Sequence, residues 1–394
     1  MADMQSHRTT ALLELAGVFS KLGLTAFGGP AAHVAMMEQE FVRQRAWLSH
    51  EEFLDLLGAT NLIPGPNSTE MAIYVGRRRA GWAGLVVAGV CFILPAALLV
   101  GLIAWAYVRL GKLPQAEGLL YGIKPVIMAV ILQALWGLGR VAVKSRFLAV
   151  IGLAAVVLNC LGVNELVVLF GTGFLVAAGR AGPHGQRGIV SGLFPLLGFA
   201  TGAPLVSAVG ISGAAVAVPF SVGALFLFFV KVGSVLFGSG YVLLAFLRAD
   251  LVERWHWLSE SQLLDAIAVG QVTPGPLFTT ATFIGYLLGG PVAAVVATVG
   301  IFLPAFFFVA ISGPLVPRLR ASPVAGAFLD GVNVASLALM GVVTWQLGAA
   351  ALVDWLTLLL AVAAAILLLR YRLNSAWLVL GGAAAGLLAA AFRG

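Results

Sequence analysis

Apolar residues dominate this chain, and polar positions fall mainly in short clusters between apolar runs. The stretches 80–108 and 118–139 are long enough to cross a hydrocarbon core, which takes about 20 residues of helix. No stretch shows the period-2 alternation of a lipid-facing barrel strand, so the predicted elements are helices. Two apolar runs share the pattern K-x-G-x-x-x-F-G, once over Lys21–Gly28 and once over Lys231–Gly238. Each places one lysine inside an apolar segment and then a glycine break. The pattern predicts a first helix over 10–27 and 220–237, then an amphipathic helix over 30–44 and 240–254. Ser49 to Glu52 and Ser259 to Gln262 read as capping boxes, so further helices start near 50 and 260. Both run into Pro-Gly-Pro, at 64–66 and 274–276. Proline removes an amide donor and clashes with the preceding turn, which breaks a helix. The pieces 50–63 and 67–76 are each too short to span a bilayer. Each copy ends in a predicted helical hairpin, 147–158 with 164–179 and 355–370 with 375–392.

These parallels belong to one long repeat. Trp47-Leu48-Ser49 recurs as Trp257-Leu258-Ser259, Asp55 as Asp265 and Thr69 as Thr279, all at a step of 210 residues. The step then becomes 209: Gly76 matches Gly285, Leu94-Pro95 matches Leu303-Pro304, and Trp136 matches Trp345. Agreement at one offset over this many rare residue types implies two homologous halves, 1–180 and 220–394, joined by a linker over 181–219. The expected architecture is an all-α polytopic membrane protein of about 10 to 12 membrane segments, its helices broken or re-entrant at the glycine–proline motifs.

Composition agrees. The 394 residues are 61% hydrophobic and 10% charged, against about 25% charged in soluble domains. The net charge of +7 comes from basic clusters between apolar runs, as topology signals do, and does not point to nucleic acid. Cys91 and Cys160 lack metal or disulfide spacing, so no cofactor is expected. The first ten residues are polar and show no cleavage pattern, so a cleaved leader is not expected. If the segment 50–76 dips in and returns, Arg43, Arg45, Arg77, Arg78, Arg79, Arg140, Lys144 and Arg146 share one face, with Arg109 and Lys112 on the other. The positive-inside rule favours that hairpin, with the arginine-rich face cytoplasmic. The loop 77–79 is all arginine while its counterpart 286–291 has no basic residue, which suits inverted halves. Broken helices in two related halves are also the usual design of secondary transporters.

Broken helices present free amides and the positive ends of helix dipoles, which attract anions. Gly28, Gly29 and Pro30 open one such helix, and Pro66 and Asn67 another, with Gly238 and Pro276 in corresponding places. With Lys21 and Lys231 added, the set suits a doubly charged anion; the competing reading has both lysines snorkelling to the interface. Asn61 and Gln271 precede Pro64-Gly65-Pro66 and Pro274-Gly275-Pro276, and their amides suit an oxyanion or, equally, interhelical bonding. Lys124, replaced by Asn333 in the second half, is a further candidate for the anion path. Glu70 lies one turn past the break and has only Thr280 opposite it; it is a candidate for a coupling proton or for an ion pair with Arg77 or Arg78. His33, Glu38 and Glu40 read as an interfacial polar face. There is no Walker A sequence, HExxH or GxSxG in a strand context, so the chain is not expected to be an enzyme.

Phe27-Gly28-Gly29-Pro30, Pro64-Gly65-Pro66 and their second copies resemble the chromate ion transporter family in its long, two-repeat form, over essentially the whole chain. The resemblance implies a secondary transporter that exports chromate, a sulfate-like dianion, from the bacterial cytoplasm using the proton motive force. The second copy departs from the pattern at Ser239-Gly240, which implies an asymmetric site. Sulfate or another oxyanion is the alternative substrate, and a lipid-handling protein with paired re-entrant hairpins is the alternative class. Expected partners are the small oxyanion and the lipid bilayer of the inner membrane. A homodimer is allowed and nucleic acid is not expected.

Overall fold

The computed structural model describes residues 2–26, 29–110, 114–181, 219–237, 240–312, 322–371, 373 and 375–393. Most of the linker, including the stretch 189–218, lies outside the described residues. The first half contains α1 (Ala2–Thr25), α2 (Gly29–Glu38), α3 (His50–Thr60), α4 (Asn67–Leu110), α5 (Pro114–Ala142), α6 (Arg146–Cys160) and α7 (Glu165–Ala181). The second contains α8 (Val222–Val235), α9 (Leu243–Phe246), α10 (Glu260–Val272), α11 (Thr280–Ser312), α12 (Pro323–Ala351), α13 (Trp355–Tyr371) and α14 (Ser375–Arg393). The predicted amphipathic helices are of mixed winding: α2 runs into a π-helical segment Gln39–Gln44, and α9 into another, Leu247–Arg254. Both capping boxes are present, each with the serine accepting from the fourth residue's amide.

α4 and α11 are each two helices. Ala80 and Gly81 leave helical geometry, Gly81 at φ 63°, as do Gly289 and Gly290, the latter at φ 70°. Only glycine takes such values readily. Gly76 and Gly84 face each other so closely that a Cβ on either would overlap the other's carbonyl. A continuous helix would hold them about 12 Å apart. The chain therefore doubles back, with a short arm over 67–79 and a long arm over 82–110.

The arginines locate the ends. Arg78 pairs with Glu52, so α3 enters and the short arm of α4 returns at one face, as the charge count predicts. Glu14 binds Arg45 at 2.7 Å and Arg79 at 3.5 Å, so α1 and α2 form a second hairpin from that same near face. In the second half, Phe220 stacks edge-on against Trp257 at 5.2 Å and Arg248 pairs with Glu260 at 2.6 Å, closing the matching hairpins.

Equivalent helices run in opposite directions. A Cβ on Gly139 of α5 would lie 3.6 Å from Leu337 of α12, and one on Gly348 of α12 would lie 3.7 Å from Met128 of α5. At the repeat step of 209, Met128 corresponds to Leu337 and Gly139 to Gly348, so the two contacts are one contact seen twice. As α5 ascends, α12 descends. The axis relating the halves therefore lies in the membrane plane, and the repeats are inverted. The halves also interlock: α6 and α7 pack on α12, while α13 and α14 pack on α5. Gly118 and Gly122 meet Gly382 and Gly386 backbone to backbone, the close approach that small residues give membrane helices. Among the described residues five helices are long and apolar enough to cross a membrane, and large apolar side chains such as Leu98, Leu102, Val295 and Phe307 point outward, as lipid requires.

Candidate functional site

The hairpins of the two halves approach from opposite faces and meet tip to tip. α1 and α8 end with carbonyls that have no partner within their own helix. Each Pro-Gly-Pro has one amide to offer, since proline carries none. The structure matches them across the repeats: Gly65 N–H donates to the Leu236 carbonyl at 2.7 Å, and Gly275 N–H donates to the Ala26 carbonyl at 3.0 Å. Both glycines sit at positive φ, 141° and 94°.

Beside these two bonds lies a cavity of about 20 Å³, lined by His33, Pro66, Asn67, Ser68, Gly240, Pro276, Leu277 and Phe278. That is room for about one water. Three helical starts border it, those of α4, the run beginning at Gly240 and the run beginning at Leu277, and α2 adds His33 from just past its first turn. Their amides and dipoles give the region a positive potential without a charged side chain.

The polar side chains here come mainly from the first half. Asn67 Nδ2 donates to Asn61 Oδ1 at 2.7 Å, and Asn61 Nδ2 donates to the Leu57 carbonyl at 3.1 Å. Glu70 is fully buried, and neither carboxyl oxygen has a hydrogen-bond partner among the described residues. The alternative ion pairs do not form: Arg77 donates to the Val309 and Ala310 carbonyls at 2.7 Å, and Arg78 is taken by Glu52. In the second half, Thr279 and Thr280 instead bond locally, to the Pro276 and Leu277 carbonyls. Gln271 hydrogen-bonds to Tyr241.

The lysines are placed differently from the simplest anion-site reading. Lys21 is 65% exposed with Nζ 3.8 Å from Glu40, and Lys231 Nζ lies 2.5 Å from Asp250, which also binds Arg254. Glu40 and Asp250 are themselves repeat equivalents at the 210 step. Neither lysine lines the central cavity. Lys124 Nζ lies 2.9 Å from both Ser261 Oγ and Asp265, and Tyr107 donates to the same Asp265 at 2.8 Å. Gly28 and Gly238 lie outside the described residues, while Gly29 and Pro30 begin α2.

His33 corrects the sequence reading. It is 2% exposed, not part of a solvated face, and its Nε2 bonds the Ala26 carbonyl at 3.0 Å. Glu40 is also buried, between Lys21 and Arg45. A signal for His33 was present: it is the first ionisable residue after one break, as Glu70 is after another.

Inverted halves whose re-entrant hairpins meet at a small polar cavity define a multi-pass membrane transport protein. The chain belongs to the chromate transporter family, whose profile matches residues 13–177 and again 223–387. It is 33% identical to a chromate transport protein of Cupriavidus metallidurans, over 97% of this chain and 94% of that one. It is 34% identical to a chromate transport protein of Pseudomonas aeruginosa, over 84% of this chain and 79% of the relative. An uncharacterized transporter of Methanocaldococcus jannaschii is 25% identical over 89% of this chain and 88% of its own. No solved structure matches the chain significantly. The family places the chain among transport proteins rather than enzymes.

Proposed function

We propose that the chain is a secondary transporter that exports chromate across the bacterial cytoplasmic membrane, coupled to the proton motive force. The observation that carries this reading is the meeting of the two Pro-Gly-Pro tips with the two first-helix ends, around which three helical starts converge. Oriented amides there suit a tetrahedral dianion, and the names of the curated relatives supply chromate as the substrate. Opposed hairpins that part at one face and then the other give alternating access, with 1–180 and 220–394 as the two units. Glu70, buried beside the tip and without a hydrogen-bond partner among the described residues, carries the coupling proton. Membrane potential adds about 4.6 kcal/mol per 100 mV to outward movement of two negative charges. Lys21 and Lys231 raise the local potential from behind their carboxylate partners, and Lys124 stands on the far-face path.

The test is uptake of labelled chromate into inside-out vesicles or proteoliposomes with an imposed proton gradient, with and without excess sulfate. Gradient-dependent uptake is expected, and inhibition by sulfate would class the site as one for sulfate-like dianions. Absence of uptake with folded protein would overturn the reading in favour of lipid handling.

A further inference from the structure

We propose that a second cavity, between α5, α12 and the first Pro-Gly-Pro tip, is an entry subsite for the transported oxyanion on the near face. This rests on the transport reading above.

The cavity measures about 310 Å³ and reaches from Lys144 past Asn333 and Ser336 to Asn61. Size separates it from the central cavity. A water's share of liquid volume is about 30 Å³, so a tetraoxyanion with part of its hydration shell fits the outer cavity, while the central one holds about one water. In this conformation the outer cavity is where a dianion can rest.

Its chemistry fits an anion. Ser336 belongs to the cavity lining, is 3% exposed, and its Oγ has no hydrogen-bond partner among the described residues. A buried hydroxyl left without a partner is unfavourable, and an occupant of the cavity can take it up. Lys144, 59% exposed at the mouth, binds Asp330 at 2.7 Å, and Arg180 lies 3.9 Å from the same carboxylate. Two cations share one carboxylate, so Lys144 can turn to an incoming anion while Arg180 stays with Asp330. The inner end is joined to the central cavity through one hydrogen bond: Asn61 lines the outer cavity, Asn67 lines the inner one, and Asn67 donates to Asn61 at 2.7 Å. The repeat-equivalent end at the far face is built differently. Tyr121 stands for Asp330 there and donates to Asp354 at 2.5 Å, and Lys124 stands for Asn333 with its charge held by Asp265 at 2.9 Å.

The experiment uses the full chain in proteoliposomes and in detergent, with radiolabelled chromate and, separately, sulfate as probes. Equilibrium binding and uptake KM are measured for the parent chain, Ser336→Ala and Asp330→Asn. Ser336→Ala removes a hydroxyl with no partner among the described residues, so folding is not at stake; it should weaken chromate binding and raise KM roughly tenfold, as loss of one hydrogen bond to a charged oxygen does. Asp330→Asn leaves Lys144 unshared and should shift both quantities the other way, by a factor of roughly three to ten. Parental values in both variants, with uptake by the parent chain intact, would overturn the subsite and leave the transport reading standing. A parent chain that neither binds nor moves either anion would overturn both.

Discussion

Gly275→Ala tests the tip-to-tip architecture most directly. Gly275 sits at φ 94°, and an added Cβ would lie 2.5 Å from the Cβ of Ala96 and 3.1 Å from the Gly23 carbonyl oxygen. Neither neighbour can rotate away, because one is a side-chain stub and the other is backbone. Positive φ alone strains alanine by about 1–3 kcal/mol. Overpacking adds about 1–3 kcal/mol. If the tip retreats instead, the bond from Gly275 N–H to Ala26 weakens, at about 1 kcal/mol. The sum is about 2–6 kcal/mol. Gly290→Ala is the internal control: its φ is 70°, but a Cβ there meets nothing within 4 Å, so it carries the strain without the clash. Apparent melting in detergent, followed by monodispersity after heating, ranks the two. Gly275→Ala should melt well below Gly290→Ala and lose uptake, while Gly290→Ala keeps most of its uptake. Equal melting points would refute the close approach of the second tip to α1 and the long arm of α4.

Glu70→Gln should leave expression and oxyanion binding in place but remove the dependence of uptake on an imposed pH gradient; gradient dependence retained in the variant would take the proton role from Glu70. Lys231→Gln should destabilise the protein by about 2 kcal/mol, since it strips a charge-assisted bond from the buried Asp250, while Lys21→Gln, at an exposed pair, should shift melting by under about 1 kcal/mol. Adding Asp250→Asn to Lys231→Gln should recover part of that loss, and intact uptake in both lysine variants would remove the lysines from the anion path. In a chain with Cys91 and Cys160 replaced by alanine, Arg79→Cys and Val292→Cys should react with impermeant thiol reagents from opposite faces; reaction from one face would defeat the inverted arrangement.

Features that obey local rules were legible in the sequence. Ser49 and Glu52, or Ser259 and Gln262, make a capping box through backbone geometry alone, and Pro64-Gly65-Pro66 breaks a helix wherever it stands. The arginine count also sufficed to predict the α3 hairpin, because membrane topology is written in loop charge. What the tips touch was not legible. The bond from Gly65 to Leu236 joins residues from different halves, and no local rule pairs them. The lysines show a signal that was present but unused: Glu40 and Asp250 repeat at the same step as Lys21 and Lys231, so the repeat carries an ion pair rather than a bare cation. His33 was misjudged because helical periodicity over 30–44 describes a polar stripe without saying whether it faces water or the opposite hairpin. The π-helical winding of 39–44 shifts that stripe, and a period of 3.6 residues does not anticipate it.

The repeat is symmetric in backbone and asymmetric in chemistry, and the two properties serve different ends. Matched contacts such as Met128 with Gly348 and Leu337 with Gly139 show that the backbone packing of the halves obeys the in-plane axis. A scaffold of that kind has no preferred direction of its own. The side chains around the centre break the tie: His33, Asn67 and Glu70 belong to the first half, where the second has Leu243, Leu277 and Thr280 at the 210 step. The ends of the α5–α12 pair differ in the same sense, with Lys144 and Arg180 on Asp330 at the near face and Tyr121 on Asp354 at the far face. At the near end the proposed transport reading gives a dianion Lys144 to bind in place of Asp330, while at the far end the lysine, Lys124, is held by both Ser261 and Asp265. A ligand can shift a two-state equilibrium only through its difference in affinity for the two states. On that reading the asymmetry of the repeat, rather than its symmetry, is what a bound dianion can use to bias which face is open, and the gradients then fix the direction of net flow.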